Sequence, residues 1–290
     1  MKAKLFYLSN VRAEQFGQYH NLELTQINDR TQIKDIIHGV LVNLHRPLTG
    51  EEERFLADCS LSNIPVYHSH LLKERLDKQV STTHLTQNTI EVLSPNIRYL
   101  KFRSIVEKLL IISLAPIILP VLLITALLVK LNLPSESILF RQERVGRNAT
   151  RFNIYKFRTM ESKEDSKANF ATSEHNRISR LGRWLRQSRL DELPQLLNVL
   201  KDEMSIIGPR PEQSFFVEQY QREIPFYNYR HIVKPGITGW AQIEQGYTDS
   251  LQSTKHKLSY DLYYIKHLSL ELDIYIAIKT LKIILQRKGA

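Results

Sequence analysis

Residues 109–129 read LLIISLAPIILPVLLITALLV, a stretch without a single charged side chain. Its length and composition predict a membrane segment, because an α-helix needs about 20 apolar residues to cross the hydrocarbon core of a bilayer. Pro116 and Pro120 lie in the middle of the stretch, and each proline removes one helical hydrogen bond. The pattern therefore predicts a helix with a sharp bend at these two positions.

Both flanks of the apolar stretch are basic. Lys101, Arg103 and Lys108 precede it, and Lys130 and Arg141 follow it. Because positively charged flanks tend to stay in the cytoplasm, neither end is favoured for export. We therefore expect a re-entrant helical hairpin whose two ends remain cytoplasmic. A kinked spanning helix and a buried core helix of a soluble protein are the alternatives.

The composition is that of a folded, basic protein. Its 290 residues are 42% hydrophobic and carry a formal net charge of +10, which calls for an anionic partner: nucleic acid, an acidic membrane surface or a phosphorylated substrate. The single cysteine, Cys59, excludes an internal disulfide and is expected to be buried. The ten histidines show no zinc-type spacing and receive no catalytic role, and the N-terminus lacks a secretory signal pattern.

The residues before the apolar stretch predict a small βαβ-type unit. Residues 36–43 (IIHGVLVN) and 64–68 (IPVYH) have the pattern of buried strands, and residues 49–61 have that of a helix between them. No glycine-rich phosphate loop accompanies these elements, which favours a regulatory or structural module over a nucleotide site.

The residues after the apolar stretch predict a mainly helical domain. Helical patterns occur at 179–190, 193–204 and 270–285, and the last of these is amphipathic. Such helices are expected to lie at the membrane interface.

Arginines recur at every third position ahead of two adjacent acids. Because three-residue steps drift around a helix, these cations form a slanted stripe, which suits either a phosphate-rich ligand or a solvated face near anionic lipid. Arg186 is the strongest functional candidate among them. The stripe consists of Arg177, Arg180, Arg183, Arg186 and Arg189.

The adjacent acids are Asp191 and Glu192, flanked by apolar residues. On its own such a pair is usually a solvated helix start, but a buried pair needs arginine or a divalent metal nearby. Lys156 and Arg158 occur upstream, and Arg210 lies downstream between two prolines that fix its backbone. Carboxylates together with phosphate-binding cations indicate phosphoryl-group chemistry.

Four sequence blocks carry a family resemblance. They are FRQERVGR at 140–147, YKFRTM at 155–160, RQSRLDELPQLLNVLKDEMSIIGPRPE at 186–212 and KPGITGWAQ at 234–242. In this order and spacing they resemble the bacterial sugar transferase family, the monotopic polyprenyl-phosphate phosphoglycosyl transferases, also described as undecaprenyl-phosphate sugar phosphotransferases. The chain departs from the family at Leu119, where a serine usually precedes the proline of the bend, at Arg189, commonly a serine, and at Lys234, often an arginine.

The resemblance implies a domain organisation. It predicts an α/β, Rossmann-like N-terminal module at 1–95, a linker and re-entrant membrane helix at 96–133, and a mainly α, membrane-associated catalytic domain at 134–290. The location it implies is the bacterial inner membrane, with the catalytic domain facing the cytoplasm. A homodimer is left open.

The resemblance also implies a reaction. Asp191 would attack the β-phosphate of a UDP-sugar and release UMP, and polyprenyl phosphate would then take the sugar phosphate from the enzyme, as the first membrane step of surface polysaccharide synthesis, such as exopolysaccharide or O-antigen. Glu192 would hold Mg²⁺. Phosphate oxygens would be held by Lys156, Arg158, Arg186 and Arg210, and the nucleotide-sugar site would be walled by Lys234, Pro235, Gly236 and Gly239.

Two other hypotheses remain at this point. A membrane-tethered binding protein for nucleic acid or anionic lipid would explain the charge and the apolar segment, whereas the transferase hypothesis expects no nucleic acid. Alternatively, the acids act only through a metal, and the lipid phosphate attacks the donor directly in one displacement. Trp240, beside the glycine turn, fits either the core or a membrane-interface anchor.

Overall fold

The computed structural model describes residues 3–27, 38–80, 94–161, 178–245 and 250–286. The chain divides into two compact units, Met1–Gln79 and Val80–Ala290, and each is described by itself. The domain boundaries expected from the sequence stay a prediction.

The first unit is an α/β module, as predicted. Its four-stranded parallel sheet has the order β2-β1-β3-β4, and β3 and β4 coincide with the two expected strands. Cys59 on the first helix is completely buried, as expected, and packs against Val40 and Val42 of β3. The elements are β1 (Ala3–Tyr7), β2 (Leu22–Gln26), β3 (Val40–Val42), α1 (Gly50–Leu61), β4 (Val66–His68) and α2 (Ser69–Asp77).

The first helix described in the second unit is α3, Ile97–Asn132, which contains the apolar stretch. Among the described residues, α3 is the one helix long and apolar enough to cross a membrane. Only 11% of its most apolar window is buried, which argues against the core helix of a soluble protein. Helix α3 runs without a break through Pro116 and Pro120, so the re-entrant course and its bend stay predictions.

One face of α3 contacts the rest of the unit along most of its length. The residues buried on this face lie at intervals close to multiples of the helical repeat: Arg103, Glu107, Ile111, Thr125 and Val129. Near the start of α3, Arg103 pairs with Asp273. Ile111, near its middle, packs with Ile154 and Met204, and Val129, near its end, packs with Phe157 and Leu185. Both ends of the helix therefore contact the same unit.

Two pairs of strands, six α-helices and three short 3₁₀ helices complete the described part of the second unit. Strands β5 (Leu139–Val145) and β6 (Arg151–Phe157) form an antiparallel hairpin, and β7 (Ser205–Ile207) and β8 (Gly236–Thr238) pair in parallel. The helices are α4 (Arg180–Gln187), α5 (Leu196–Leu200), α6 (Ser214–Glu223), α7 (Trp240–Glu244), α8 (Leu251–Lys266) and α9 (Leu270–Leu285).

Helix α9 is amphipathic, as the sequence predicts. Ile276 and Asp273 face the interior of the unit and are buried. The opposite face is an exposed apolar stripe, which consists of Leu270, Ile274, Ile278, Leu281 and Leu285.

A buried ion cluster joins α3 to α8 and α9. Arg103 is 3.1 Å from Asp273, and the Tyr264 hydroxyl donates to the same carboxylate at 2.9 Å. Arg103 also donates to the Tyr264 hydroxyl. One helical turn further along α3, Glu107 accepts hydrogen bonds from the Ser205 hydroxyl at 2.6 Å and the Ile206 amide at 3.2 Å. The polar beginning of α3 is therefore anchored in the unit.

Asp273→Asn should strongly destabilise this unit. The change keeps the side-chain shape but removes the nearer of the two carboxylates that pair with Arg103, since Glu107 lies 3.6 Å away, and breaking a buried ion pair typically costs about 3–5 kcal/mol. The control is Glu218→Gln, whose partner Arg151 is 60% exposed and whose loss should change the free energy of unfolding by less than about 1 kcal/mol. Thermal unfolding of the purified protein in detergent measures both variants. Equal losses would contradict the assigned role of the cluster.

Candidate active site

The chain turns sharply before the two adjacent acids. Helix α4 ends at Gln187, and Arg189 adopts the left-handed conformation, with φ of 58°. Such a backbone costs a residue other than glycine roughly 1–2 kcal/mol. The turn starts a 3₁₀ helix, Leu190–Gln195, which buries Asp191 and Glu192 to 7% and 5% exposure. The pair is therefore not a solvated helix start.

Glu192 is surrounded by cations. Its Oε1 accepts from Lys156 Nζ at 2.7 Å and from Arg210 Nη2 at 3.2 Å, and its Oε2 lies 3.4 Å from Arg189 Nη1. Burial by itself would raise the pKa of Glu192, but Lys156, Arg210 and Arg189 overcome that effect and hold this pKa well below its usual range. Glu192 is therefore ionised, and both of its oxygens are occupied.

Asp191 has the opposite environment. Its buried Oδ1 has no hydrogen-bond partner among the described residues. Burial, reinforced by repulsion from Glu192, raises the pKa of Asp191 to about 6, although Lys156, Arg186 and Arg189 partly oppose the increase. The dyad thus contains one fully paired carboxylate and one whose Oδ1 is contacted by none of the described side chains.

The structure brings three of the four predicted phosphate-binding cations to the dyad. Lys156 and Arg210 contact Glu192, and burial lowers the pKa of Lys156 despite that contact. Arg186 acts electrostatically on Asp191 and donates its Nε to Thr159 Oγ1 at 3.0 Å.

Arg158 lies in different surroundings. It donates to the Ser137 carbonyl at 2.9 Å and pairs with Glu136 at 3.3 Å. With Arg141 and apolar residues of β5, it lines a cavity of about 570 Å³. Its predicted role in binding phosphate stays a prediction.

The arginine stripe divides into two parts. Arg180 and Arg183 are exposed on α4, whereas Arg186 and Arg189 turn towards the dyad. Arg177 lies outside the described residues. Arg189 therefore has a direct role that the sequence signal, a position in a periodic stripe, did not single out.

The glycines of the predicted sugar-nucleotide wall fit closely against the loop that carries Arg210. A Cβ on Gly236 would lie 2.1 Å from Gly208 N, and one on Gly239 would lie 2.0 Å from Gly208 O. Gly236 N donates to Pro209 O at 2.9 Å. These glycines therefore allow the β8 segment to pack directly against the backbone of the Arg210 loop. Trp240, next in sequence, is 1% exposed and belongs to the core.

Lys234, at the start of the predicted wall, faces α3. Its Nζ lies 2.8 Å from Asp202 and donates to Ser104 Oγ at 3.1 Å. Pro235 connects Lys234 to β8, and its carbonyl accepts from the Ser205 amide at 2.9 Å. These contacts explain how the segment is held, and its role in binding the donor stays a prediction.

Gln195 is a residue that sequence reasoning missed. It ends the 3₁₀ helix that carries the dyad, is 3% exposed, and has no partner for its Nε2 among the described residues. Its position three residues after Glu192 was the available signal, because residues three apart share a face of a 3₁₀ helix.

Asp191 and Glu192 supply few ligands for a metal ion. Within the described residues, no group of three or more His, Cys, Asp or Glu side chains could hold a metal ion. Mg²⁺, however, commonly uses only one or two carboxylates together with substrate phosphates and water. Asp191 Oδ1, which has no hydrogen-bond partner among the described residues, could serve as such a ligand, whereas Glu192 could do so only in exchange for one of its contacts with Lys156, Arg210 or Arg189.

Comparison with known proteins agrees with this site. The chain is 47% identical over 244 residues to the UDP-N-acetylgalactosamine-undecaprenyl-phosphate N-acetylgalactosaminephosphotransferase of Aeromonas hydrophila, covering 84% of this chain and 57% of that protein. It is 36% identical over 271 residues to the UDP-glucose:undecaprenyl-phosphate glucose-1-phosphate transferase of Escherichia coli K12, covering 91% and 54% respectively. The chain thus spans about half the length of these relatives.

The family comparison covers both α3 and the site. The family model described as "Bacterial sugar transferase" matches residues 98–287. This range includes the dyad, its cations and the closely packed glycines. The chain belongs to the bacterial sugar transferase family.

Proposed function

We propose that this chain transfers a sugar 1-phosphate from a UDP-sugar to polyprenyl phosphate and releases UMP. The observation that carries the proposal is the asymmetry of the dyad, in which Glu192 is fully paired and Asp191 Oδ1 has no partner among the described residues. In the first step, Asp191 Oδ1 bonds to the β-phosphorus of the donor, and the bond from that phosphorus to UMP breaks. In the second, an oxygen of polyprenyl phosphate attacks the same phosphorus, and the aspartate is regenerated.

The surrounding side chains suit this chemistry. Lys156, Arg186 and Arg210 would hold the phosphate oxygens on which negative charge accumulates. Mg²⁺, held by Glu192 and the donor phosphates, would neutralise the diphosphate and stabilise departing UMP. The same cations argue against a nucleic-acid-binding surface, because Lys156 and Arg210 point at a buried carboxylate rather than outward.

The membrane arrangement we propose is re-entrant. A helix that spans a bilayer upright carries its ends on opposite sides, yet Arg103 near the start of α3 and Val129 near its end contact the same unit of this chain. The exposed apolar stripe of α9 would lie in the interface beside α3. Basic flanks favour the cytoplasmic side of the inner membrane, where a water-soluble donor and a lipid-borne phosphate can meet.

The donor is proposed to be a UDP-hexose or UDP-N-acetylhexosamine. The relatives are named for N-acetylgalactosamine and for glucose, and another from Rhizobium leguminosarum is named an exopolysaccharide production protein. The product would accordingly enter the synthesis of a surface polysaccharide.

The reaction is tested by UMP release from purified protein with undecaprenyl phosphate, Mg²⁺ and UDP-N-acetylgalactosamine, UDP-N-acetylglucosamine or UDP-glucose. We expect release with one donor, its loss on chelation, and a decrease of about 10³-fold or more in Asp191→Asn. Glu218→Gln, a surface change, is the matched control. Without lipid acceptor, wild-type protein should still release about one UMP per site and retain labelled β-phosphate. Absence of that burst would favour direct displacement by the lipid phosphate.

The acidic part of the pH profile of UMP release should reflect the ionisation of Asp191. Because only the ionised carboxylate attacks, UMP release should rise with pH up to about 6 and level off above it. Glu192→Gln removes the repulsion from Glu192 and frees three cations, so the pKa of Asp191 should fall and the residual activity should level off at a lower pH. If the rising part of the profile moved to higher pH in Glu192→Gln, the assignment of this part to Asp191 would be contradicted.

The membrane course is tested with Arg98→Cys and Ser135→Cys, exposed positions on either side of the apolar stretch. The re-entrant arrangement predicts that a membrane-impermeant thiol reagent labels both from the cytoplasmic side. Cys59→Ala removes the background from the native thiol. Labelling from opposite sides would establish a spanning helix instead.

A further inference from the structure

The loop that presents Arg210 to Glu192 has few hydrogen-bond donors of its own. Pro209 and Pro211 have no backbone N–H, so the segment must be fixed largely through its carbonyl groups. Four consecutive carbonyls each accept a hydrogen bond from outside the segment. The pairs are Pro209 O with Gly236 N at 2.9 Å, Arg210 O with Arg230 Nη2 at 2.8 Å, Pro211 O with Arg144 Nη1 at 3.0 Å, and Glu212 O with Val145 N at 3.0 Å.

Arg230 is the centre of a buried charge cluster below this loop. It is 4% exposed, and its Nη2 also donates to Asp261 at 2.9 Å while its Nη1 donates to the Tyr227 hydroxyl at 2.8 Å. Glu212 lies 3.9 Å from Arg230 and pairs with Lys257. Lys257 and Arg230 overcome the effect of burial on Glu212 and lower its pKa to about 2. Glu212 is therefore held in its ionised form.

The cluster leaves the loop little room to move. The space between Arg230, His231 and the segment Pro209–Pro211 is a cavity of only about 10 Å³. Such a volume admits at most one water molecule. The guanidinium of Arg230, fixed by its own partners, therefore holds the Arg210 carbonyl within a closely packed site.

We propose that Arg230 is a positioning residue of the active site, which holds the main-chain carbonyl of Arg210 and thereby places the Arg210 guanidinium against Glu192 and the donor phosphates. The inference rests on the proposed function for its consequence in catalysis. Arg230 itself does not touch the substrate, and its effect on the reaction passes through Arg210.

The fork of the guanidinium is essential to this role. Arg230 contacts Tyr227, Asp261 and the Arg210 carbonyl at once, which uses the planar arrangement of its donors. A lysine would retain the positive charge opposite Asp261 but lacks the second arm. Arg230→Lys is therefore the variant that separates charge from geometry.

A double-mutant cycle tests the proposal through kcat and KM for UMP release by the full chain. Arg230→Lys alone should lower kcat/KM by about 10- to 100-fold, since a small misplacement of a catalytic group has effects of this size. In an Arg210→Ala background the same change should lower it less than about twofold, because the group being positioned is gone. Equal fold-losses in both backgrounds would overturn the proposal.

The matched control is Arg103→Lys. Arg103 occupies a second buried cluster with an aspartate and a tyrosine, Asp273 and Tyr264, but contacts none of residues 209–212. It should reduce thermal stability comparably to Arg230→Lys, while its effect on kcat/KM should be small and the same with Arg210 present or absent. A dependence on Arg210 as strong as that of Arg230→Lys would show a general structural effect and would also overturn the proposal.

A second measurement does not depend on activity. Amide hydrogen exchange at Gly236 and Val145, which donate to Pro209 and Glu212, should become faster in Arg230→Lys and remain unchanged in Arg103→Lys. Unchanged exchange in Arg230→Lys would refute the positioning role. If wild-type protein releases no UMP with any donor, the proposed reaction fails, and hydrogen exchange still decides whether Arg230 fixes the loop.

Discussion

The pairing of Glu192 with three cations is the interaction on which the site depends. Two adjacent buried carboxylates repel each other, and the fold resolves this by giving the direct contacts to one of them. Each cation comes from a different element: Lys156 from β6, Arg189 from the turn before the 3₁₀ helix, and Arg210 from the loop after β7. Glu192 is therefore the contact shared by these three elements. Its neighbour Asp191 has no partner for Oδ1 among the described residues.

Residues close in sequence were the most predictable part of the site. Asp191 and Glu192 stand beside each other, and Lys156 and Arg210 lie in blocks whose composition already indicates phosphate binding. Arg230 gave no such signal, because it occurs alone in the segment YNYRHI and acts through a carbonyl 20 residues away. The periodicity of apolar residues predicts which face of a helix or strand a side chain occupies. It does not predict which distant main-chain atom that side chain will contact.

The same distinction applies to the fold. The α/β module and the helical character of the second unit follow from local patterns, and the amphipathic helix α9 follows from a 3.6-residue period. Strand β1 (AKLFY) has no clear alternation, and β2 (LELTQ) alternates over only four residues, so neither was predicted from the sequence. The interlocking of Gly208, Gly236 and Gly239 was also hidden, since a glycine-rich turn predicts a bend but not the close approach of a second chain segment.

The anchoring of Arg103 has a consequence for how the protein is made. Its partners, Tyr264 and Asp273, follow it by more than 160 residues and leave the ribosome long after it. Helix α3 is therefore synthesised before Tyr264 and Asp273 exist, and during that interval Glu107, 3.6 Å from Arg103 on the same helix, is the carboxylate that faces it. The rest of the unit then folds onto a helix whose course is already decided. The last third of the chain thus completes the anchoring of α3, and translation that stops before Asp273 leaves Arg103 with Glu107 of its own helix as its carboxylate partner.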